Sequence, residues 1–469
     1  MTPNYPGGAG GGELRAAVAA HARAGGPMRA GSMFRRLKGA SWALFDQCVV
    51  SATNFLTIYL FARHLGTASF GAFILAQTGL MLLTSMQNAL VIQPHNVLAA
   101  GLAQADYRQF TGALVVMQGV SCAAICMLLA MAGLLVTHFG VPSTGSVLVA
   151  LAIAAVPWMG QEFVRRVLYT RGESRMAAIN DIVSYGLQLI GAYILARFWA
   201  DRATPEAALF VLGGSSLAGV LVGVWQLRRH VRFRQVGVGT FMRTWKEVWN
   251  FGKWLTGQNL LLWFGVQGHS WIVGLLLGAE QVGLYRAATH LANLMNPLRQ
   301  TAYSYLPSRG SLAYQAGGST GLSRWVRNAW WMFLAALLPF CIVLVGFPRW
   351  VLSVAYGERY ASADLALILA LSTIAQCITF LKFPFDIGLL ALRATRSIFY
   401  VHLIPVVLLF TSGVGFIHFM GILGVPLSSI VINSTLLAAT LFAYAKLVKR
   451  GADGNPGGRW PESDIENRR

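Results

Sequence analysis

The sequence predicts an all-α polytopic membrane protein with about 12 transmembrane helices, arranged as two parallel six-helix repeats around a central lumen. Three observations carry this. Only 12% of the residues are charged and 55% are hydrophobic, whereas a soluble domain carries about 25% charged residues. Apolar runs of about 20 residues, enough to cross a ~30 Å hydrocarbon core, recur along the chain. A short motif also returns once, at the same topological place, 212 positions later. The alternating ten-residue pattern of a β-barrel is absent.

Taken in order, the apolar runs give spans at 39–62, 70–93, 109–137, 145–167, 179–198, 206–227, 250–277, 281–303, 325–346, 361–384, 396–417 and 421–446. An even count puts both ends on one side. Lysine and arginine gather in cytoplasmic loops, which decides the side. With the N-terminus inside, the inner segments hold thirty Lys/Arg and the outer ones five: Arg63, Arg197, Arg202, Arg349 and Arg359. The expected organisation is a disordered cytoplasmic tail (1–38), a six-helix bundle (39–227), a basic cytoplasmic linker (228–249), a second bundle (250–446) and a cytoplasmic tail (447–469). No cleavable signal peptide is evident, since the first apolar run is too long. The longest loops, 228–249 and 304–324, both fall inside, so no external domain offers a separate active site. The net charge of +20 is explained by topology and does not indicate nucleic acid.

The repeat is "LGTASFGAF" (Leu65 to Phe73) and "LGAEQVGLY" (Leu277 to Tyr285). Leu65, Gly66, Gly71 and Phe73 pair with Leu277, Gly278, Gly283 and Tyr285, and Trp42 falls on Trp254. A tight turn between antiparallel helices needs glycines that tolerate positive φ or close backbone approach. Six helices per half make the halves parallel repeats, as in transporters of two rocking bundles.

"ARHLGTASFGAF", "LLGAEQVGLYRAA" and "WVLSVAYGERYASA" (Trp350 to Ala363) resemble signatures of the polysaccharide-transporter branch of the MOP flippase superfamily, which holds the Wzx-type flippases. The similarity covers roughly 35–446. It implies a V-shaped pair of bundles around a lumen, in the bacterial inner membrane. The implied substrate is an undecaprenyl-pyrophosphate-linked oligosaccharide, flipped for exopolysaccharide, capsule or O-antigen synthesis. It also implies no cofactor, and as partners a polysaccharide polymerase and chain-length proteins of the same pathway. The two extra C-terminal helices usual in MurJ-type lipid II flippases are not seen.

Ionisable residues at membrane depth usually face a bundle interior or watery cavity. In the eighth span Arg286, His290, Asn293 and Gln300 share one helical face, flanked by Asn296 and Arg299, with Pro297 loosening the helix. Either this stripe lines the lumen and Arg286 attracts a pyrophosphate through its two-pronged fork, or Arg286 and Arg299 snorkel to the two surfaces. The second span carries Gln77, Gln87 and Asn88; the leading spans carry Asn54 in one half and Gln258 and Asn259 in the other. These suit a hydrated groove for sugar hydroxyls, or equally interhelical hydrogen bonding. Asp46 is the acid placed for proton or sodium coupling, or else pairs with a nearby arginine. Glu162 with Arg165 and Arg166, Asp181, and Lys382 with Asp386 lie near cytoplasmic ends and serve topology and interface pairing, or else Arg165, Arg166, Lys382, Arg393 and Arg396 form a basic vestibule for the headgroup.

The five cysteines lie inside apolar runs without metal or redox spacing. No nucleotide-binding, metal-binding or catalytic motif appears, so the chain is not expected to be an enzyme. A cation-coupled multidrug exporter of the same superfamily is the alternative, though it would concentrate acids in its lumen. A membrane polymerase or ligase would want a large external loop with paired catalytic residues.

Overall fold

The computed structural model describes residues 30–99, 104–171, 173–199, 203–228, 237–392 and 394–453. The described residues are helical with short turns, and no strand occurs among them. The first six helices are α1 (Ala30–His64), α2 (Thr67–Leu98), α3 (Gln104–His138), α4 (Pro142–Thr170), α5 (Ser174–Phe198) and α6 (Pro205–Leu227). The second half holds α7 (Val238–Leu277), α8 (Ala279–Ala292), α9 (Asn296–Gly346), α10 (Pro348–Tyr356) and α11 (Ala363–Ala391). It closes with α12 (Thr395–Leu408), α13 (Val414–Met420) and α14 (Gly424–Asp453).

Local chemistry sets several boundaries. At α6, Thr204 caps the helix by accepting from the Ala207 N–H at 3.2 Å, and Pro205 occupies the first turn, where its missing N–H costs nothing. Ser362 caps α11 in the same way. α2 loosens into a π turn at Asn88–Ile92, where Pro94 cannot donate to residue 90. The eighth span breaks into a 3-10 turn at Asn293–Met295, four residues ahead of Pro297 at its start, as that proline predicts.

Among the described residues, nine helical stretches are long and apolar enough to cross a membrane. The difference from the expected spans has physical causes. α1 falls outside the nine, and so does α8, which the 3-10 turn at Asn293–Met295 leaves only 14 residues long. The final stretch, Leu403–Lys449, merges two expected spans. Two segments expected as loops contain helix. Helix covers 304–324 on both sides of a break at Gly317 and Gly318, whose backbone angles are not helical, so α9 is two helices that fold back and bring Gly310 to Trp325. α7 begins at Val238, inside the expected linker. The first helix likewise starts at Ala30 and the last ends at Asp453; the rest of both expected tails lies outside the described residues.

In the first half α1 packs on α5, α4 on α3 and α6, and α5 on α6. In the second, α11 packs on α9 and α14. The halves meet where α2 lies along α7 and α8. One continuous core crosses that seam, from Phe61, Phe70, Phe73 and Leu80 to Val273, Val282, Tyr360 and Ile368.

Candidate functional site

The seam between the halves is tightest at the arginine-poor face. Gly71 on α2 and Gly283 on α8 place bare backbone against each other. A Cβ on Gly71 would stand 1.7 Å from the Ala279 carbonyl oxygen, and one on Gly283 would stand 2.1 Å from that of Thr67. These repeat glycines therefore serve approach between halves and not the turn itself. Of the turn glycines, Gly278 takes a positive φ of 88°, while Gly66 is extended.

The same face carries a second inter-half contact. Tyr356 ends α10, Gly357 turns the chain at φ 88°, and Arg359 and Tyr360 then reach the last turn of α1. Arg359 Nη2 donates to the carbonyls of Ala62, Arg63 and Leu65 at 3.2, 2.7 and 3.2 Å. The Tyr360 hydroxyl donates to Ala62 at 2.9 Å. A cation is favourable there because a helix C-terminus carries partial negative charge and unpaired carbonyls. Thr67 donates to Glu280 at 3.1 Å alongside.

Deeper in the seam, Arg286 donates to Gln267 Oε1 on α7. Its Nε is buried without a hydrogen-bond partner, and it makes no ion pair among the described residues. Gln267 also reaches across the seam, to Met81 Sδ at 3.4 Å. Trp263 and Trp271 of α7 donate to the carbonyl and hydroxyl of Thr78 at 3.1 and 3.0 Å. His290 stacks on Phe55 of α1, with centroids 4.5 Å apart, and donates to the Phe55 carbonyl at 3.1 Å. Thus Arg286 and His290 of the stripe are both drawn into the seam, beside tryptophans that hydropathy alone does not single out.

The other candidates are dispersed. Asn293 accepts from Gln376 of α11 at 2.6 Å, and Asn296 is half-buried at the start of α9. Gln87 is buried and donates to the Met159 carbonyl at 2.8 Å, and Gln77 is buried on the same helix. Asn88 opens the π turn. Asn54 accepts from Gln188 at 3.2 Å, and Asn259 donates to the Ser85 carbonyl across the seam at 2.9 Å. Gln258 is exposed. The side chains of Arg299, Gln300 and Arg396, and Arg393 as a whole, lie outside the described residues.

A charged network fills the first half near the basic face. Asp46 of α1 and Asp181 of α5, 1% and 0% exposed, flank Arg165 of α4 at 3.5 and 2.6 Å. Glu162 holds Arg165 at 3.5 Å and Arg166 at 2.7 Å. The Tyr169 hydroxyl donates to Asp46 Oδ2, and Gln161 donates to Asp181 at 3.3 Å. Asp46 Oδ1 has no hydrogen-bond partner. Three carboxylates face two guanidiniums, so with every group ionised the network holds one uncompensated negative charge. In the second half Lys382 and Asp386 form a buried pair one turn apart on α11. Arg165, Arg166 and Lys382 are thus each engaged by a carboxylate.

Among the described residues no group of three His, Cys, Asp or Glu side chains is placed to hold a metal ion. A separate cleft of about 660 Å³ between α9 and α11 is lined by apolar side chains and by Cys341 and Cys377, whose sulfurs lie 2.8 Å apart.

Comparisons of fold agree with this arrangement. The chain is similar to an inward-facing multidrug resistance MATE family transporter of the MOP superfamily, with a TM-score of 0.70, 13% identity, and 87% of this chain and 96% of that one covered. An outward-facing transporter of the same description gives 0.57 at 12% identity, covering 88% and 95%. The lipid II flippase MurJ in an inward closed conformation gives 0.64 at 11% identity, covering 89% and 91%. Among curated protein sequences none matches the chain. A family model described as "Polysaccharide biosynthesis protein" matches residues 36–305. That stretch is more than half of the 469 residues, and the chain belongs to this family of polysaccharide biosynthesis proteins.

Proposed function

We propose that the protein is a flippase of the bacterial inner membrane. It moves an undecaprenyl-pyrophosphate-linked oligosaccharide repeat unit across the bilayer, for exopolysaccharide, capsule or O-antigen synthesis. The observation that carries this reading is Arg286. A guanidinium drawn into an apolar bundle without a carboxylate partner is costly, and an anionic headgroup would relieve that cost by two parallel charge-assisted hydrogen bonds. The polar seam around it supplies amide and indole groups suited to sugar hydroxyls.

The mechanism is alternating access between two six-helix halves, with both termini in the cytoplasm as the positive-inside count requires. The Gly71–Gly283 contact and the Arg359–Tyr360 latch close the external side. Opening that side parts α2 from α8 and frees the last carbonyls of α1. The network around Asp46 supplies coupling: a proton or monovalent cation neutralises its excess negative charge and leaves when the halves rock. Product units pass to a polymerase and chain-length proteins on the external side.

A multidrug exporter is the second reading, favoured by the same acid-rich network and by the likeness to MATE-type transporters. Deleting the gene separates the two. A flippase deletion loses a surface or secreted polysaccharide and traps lipid-linked repeat units on the inside. Unchanged polysaccharide with altered drug tolerance would establish the exporter.

A further inference from the structure

We propose that Lys246 and Lys253 on α7 form the basic-face half of an anion path leading to Arg286, and that its ligand is the pyrophosphate of a carrier lipid. The proposal rests on the flippase reading above and adds the site where the headgroup is first taken.

The described cations near or within the membrane spans include a group held by carboxylates and a larger group without an ion pair among the described residues, to which Arg243, Arg324 and Arg327 also belong. Arg165, Arg166 and Lys382 are held by carboxylates. Lys246, Lys253 and Arg286 make no ion pair among the described residues. The first group serves the fold's internal charge balance. The second has positive charge left to offer a ligand.

Position on the helix connects them. Lys246 and Lys253 are seven residues apart and so lie on one face, two turns apart; Trp271, a further 18 residues on, returns to that direction after five turns. Gln267, which holds Arg286, borders the same face one turn below Trp271. Both lysines are exposed, and so is Gly257, one turn beyond Lys253. A Cβ built on Gly257 would meet nothing within 4 Å. The face is therefore open where a headgroup would move past it.

Depth fits as well. Lys253 lies 24 residues before Leu277, about 36 Å along the helix, which exceeds the ~30 Å hydrocarbon core. It therefore sits near the phosphate level of the basic-face leaflet. Lys246 stands about 10 Å further out, and Gln267 about 21 Å further in. The stacked pair Trp245 and Trp249, centroids 6.1 Å apart, marks this level as the membrane interface, where tryptophan concentrates. A compact, strongly hydrated ammonium takes a phosphate as a point charge and releases it readily, whereas the arginine fork holds it in fixed geometry. That order suits capture followed by deeper binding. It also explains why the more positive end of the path is the end from which substrate would enter.

The test uses the full chain in nanodiscs of phosphatidylcholine, with undecaprenyl pyrophosphate as probe and phosphatidylglycerol as a second anionic lipid. The path predicts that the double variant Lys246→Gln/Lys253→Gln binds the probe at least tenfold more weakly, and that Lys253→Arg with native Lys246 stays within threefold of wild type. Wild-type affinity in the double variant, with binding lost in Arg286→Ala, overturns the path and leaves the flippase reading standing. Failure of the wild type to bind the probe removes that reading and the path together. Phosphatidylglycerol bound as tightly as the probe, and lost equally in the double variant, overturns the pyrophosphate assignment in favour of general lipid contact.

Discussion

Gly71 and Gly283 stand 212 positions apart and press against each other's backbone, so that a Cβ on Gly71 would lie 2.8 Å from the Gly283 nitrogen. Adding even a methyl group must part α2 from α8. Thr67 and Glu280, hydrogen-bonded beside them, provide a reporter. A protein carrying Thr67→Cys and Glu280→Cys should cross-link readily in membranes, and Gly71→Ala or Gly283→Ala should slow that at least fivefold. Unchanged cross-linking would mean that the closed contact is not populated in the bilayer.

The Arg359–Tyr360 latch should contribute in the same direction. Hydrogen bonds to a charged group are worth about 1.5–3 kcal/mol and neutral ones about 1 kcal/mol, and the exposure of Arg359 argues for the lower end. Arg359→Ala should raise external labelling of a cysteine placed in the seam about tenfold, and Tyr360→Phe about fivefold. Equal labelling in all three proteins would show that the latch does not hold the external side shut.

Arg165 holds two buried aspartates, so Arg165→Ala leaves uncompensated buried charge. Breaking such pairs costs about 3–5 kcal/mol, and a fall in melting temperature checks it. Asp46→Asn should retain the fold but lose dependence of transport on an ion gradient. Gradient-driven transport at wild-type rate in Asp46→Asn would remove Asp46 from coupling.

Among the described residues, Lys382 and Asp386 of α11 form an ion pair only with each other. Lys382→Ala should therefore destabilise by about 3 kcal/mol, while Lys382→Met with Asp386→Leu should be near neutral, because replacing both buried charges with apolar groups avoids desolvation. Impaired transport in a fully stable Lys382→Ala protein would instead assign the lysine to the substrate route.

Much of the fold was legible in the sequence because hydrocarbon imposes one repeated demand, about 20 apolar residues per crossing. The break before Pro297 was equally local. The pairing of Gly71 with Gly283 was not. Their motif was visible, but a turn explained it as well as a contact between halves, and only packing distinguishes these. The engagement of Arg165 and Lys382 was half legible: Glu162 and Asp386 sit one helical turn away in sequence, whereas Asp46, Arg165 and Asp181 come from three helices. Lys253 is not legible as a site in the sequence, because one lysine near a span's inner end is what topology alone would supply. Its alignment with Trp271 and the openness at Gly257 give it a second meaning.

The central claim is that a lipid-linked anionic glycan crosses the bilayer with the help of Arg286. The most direct measurement is translocation of an undecaprenyl-pyrophosphate-linked oligosaccharide in proteoliposomes, read by an impermeant glycan-modifying enzyme outside. The account predicts protein-dependent exposure of the inner pool, reduced at least tenfold in Arg286→Ala and partly restored in Arg286→Lys. A wild-type rate no faster than protein-free liposomes would contradict it, and so would an Arg286→Ala protein as fast as wild type.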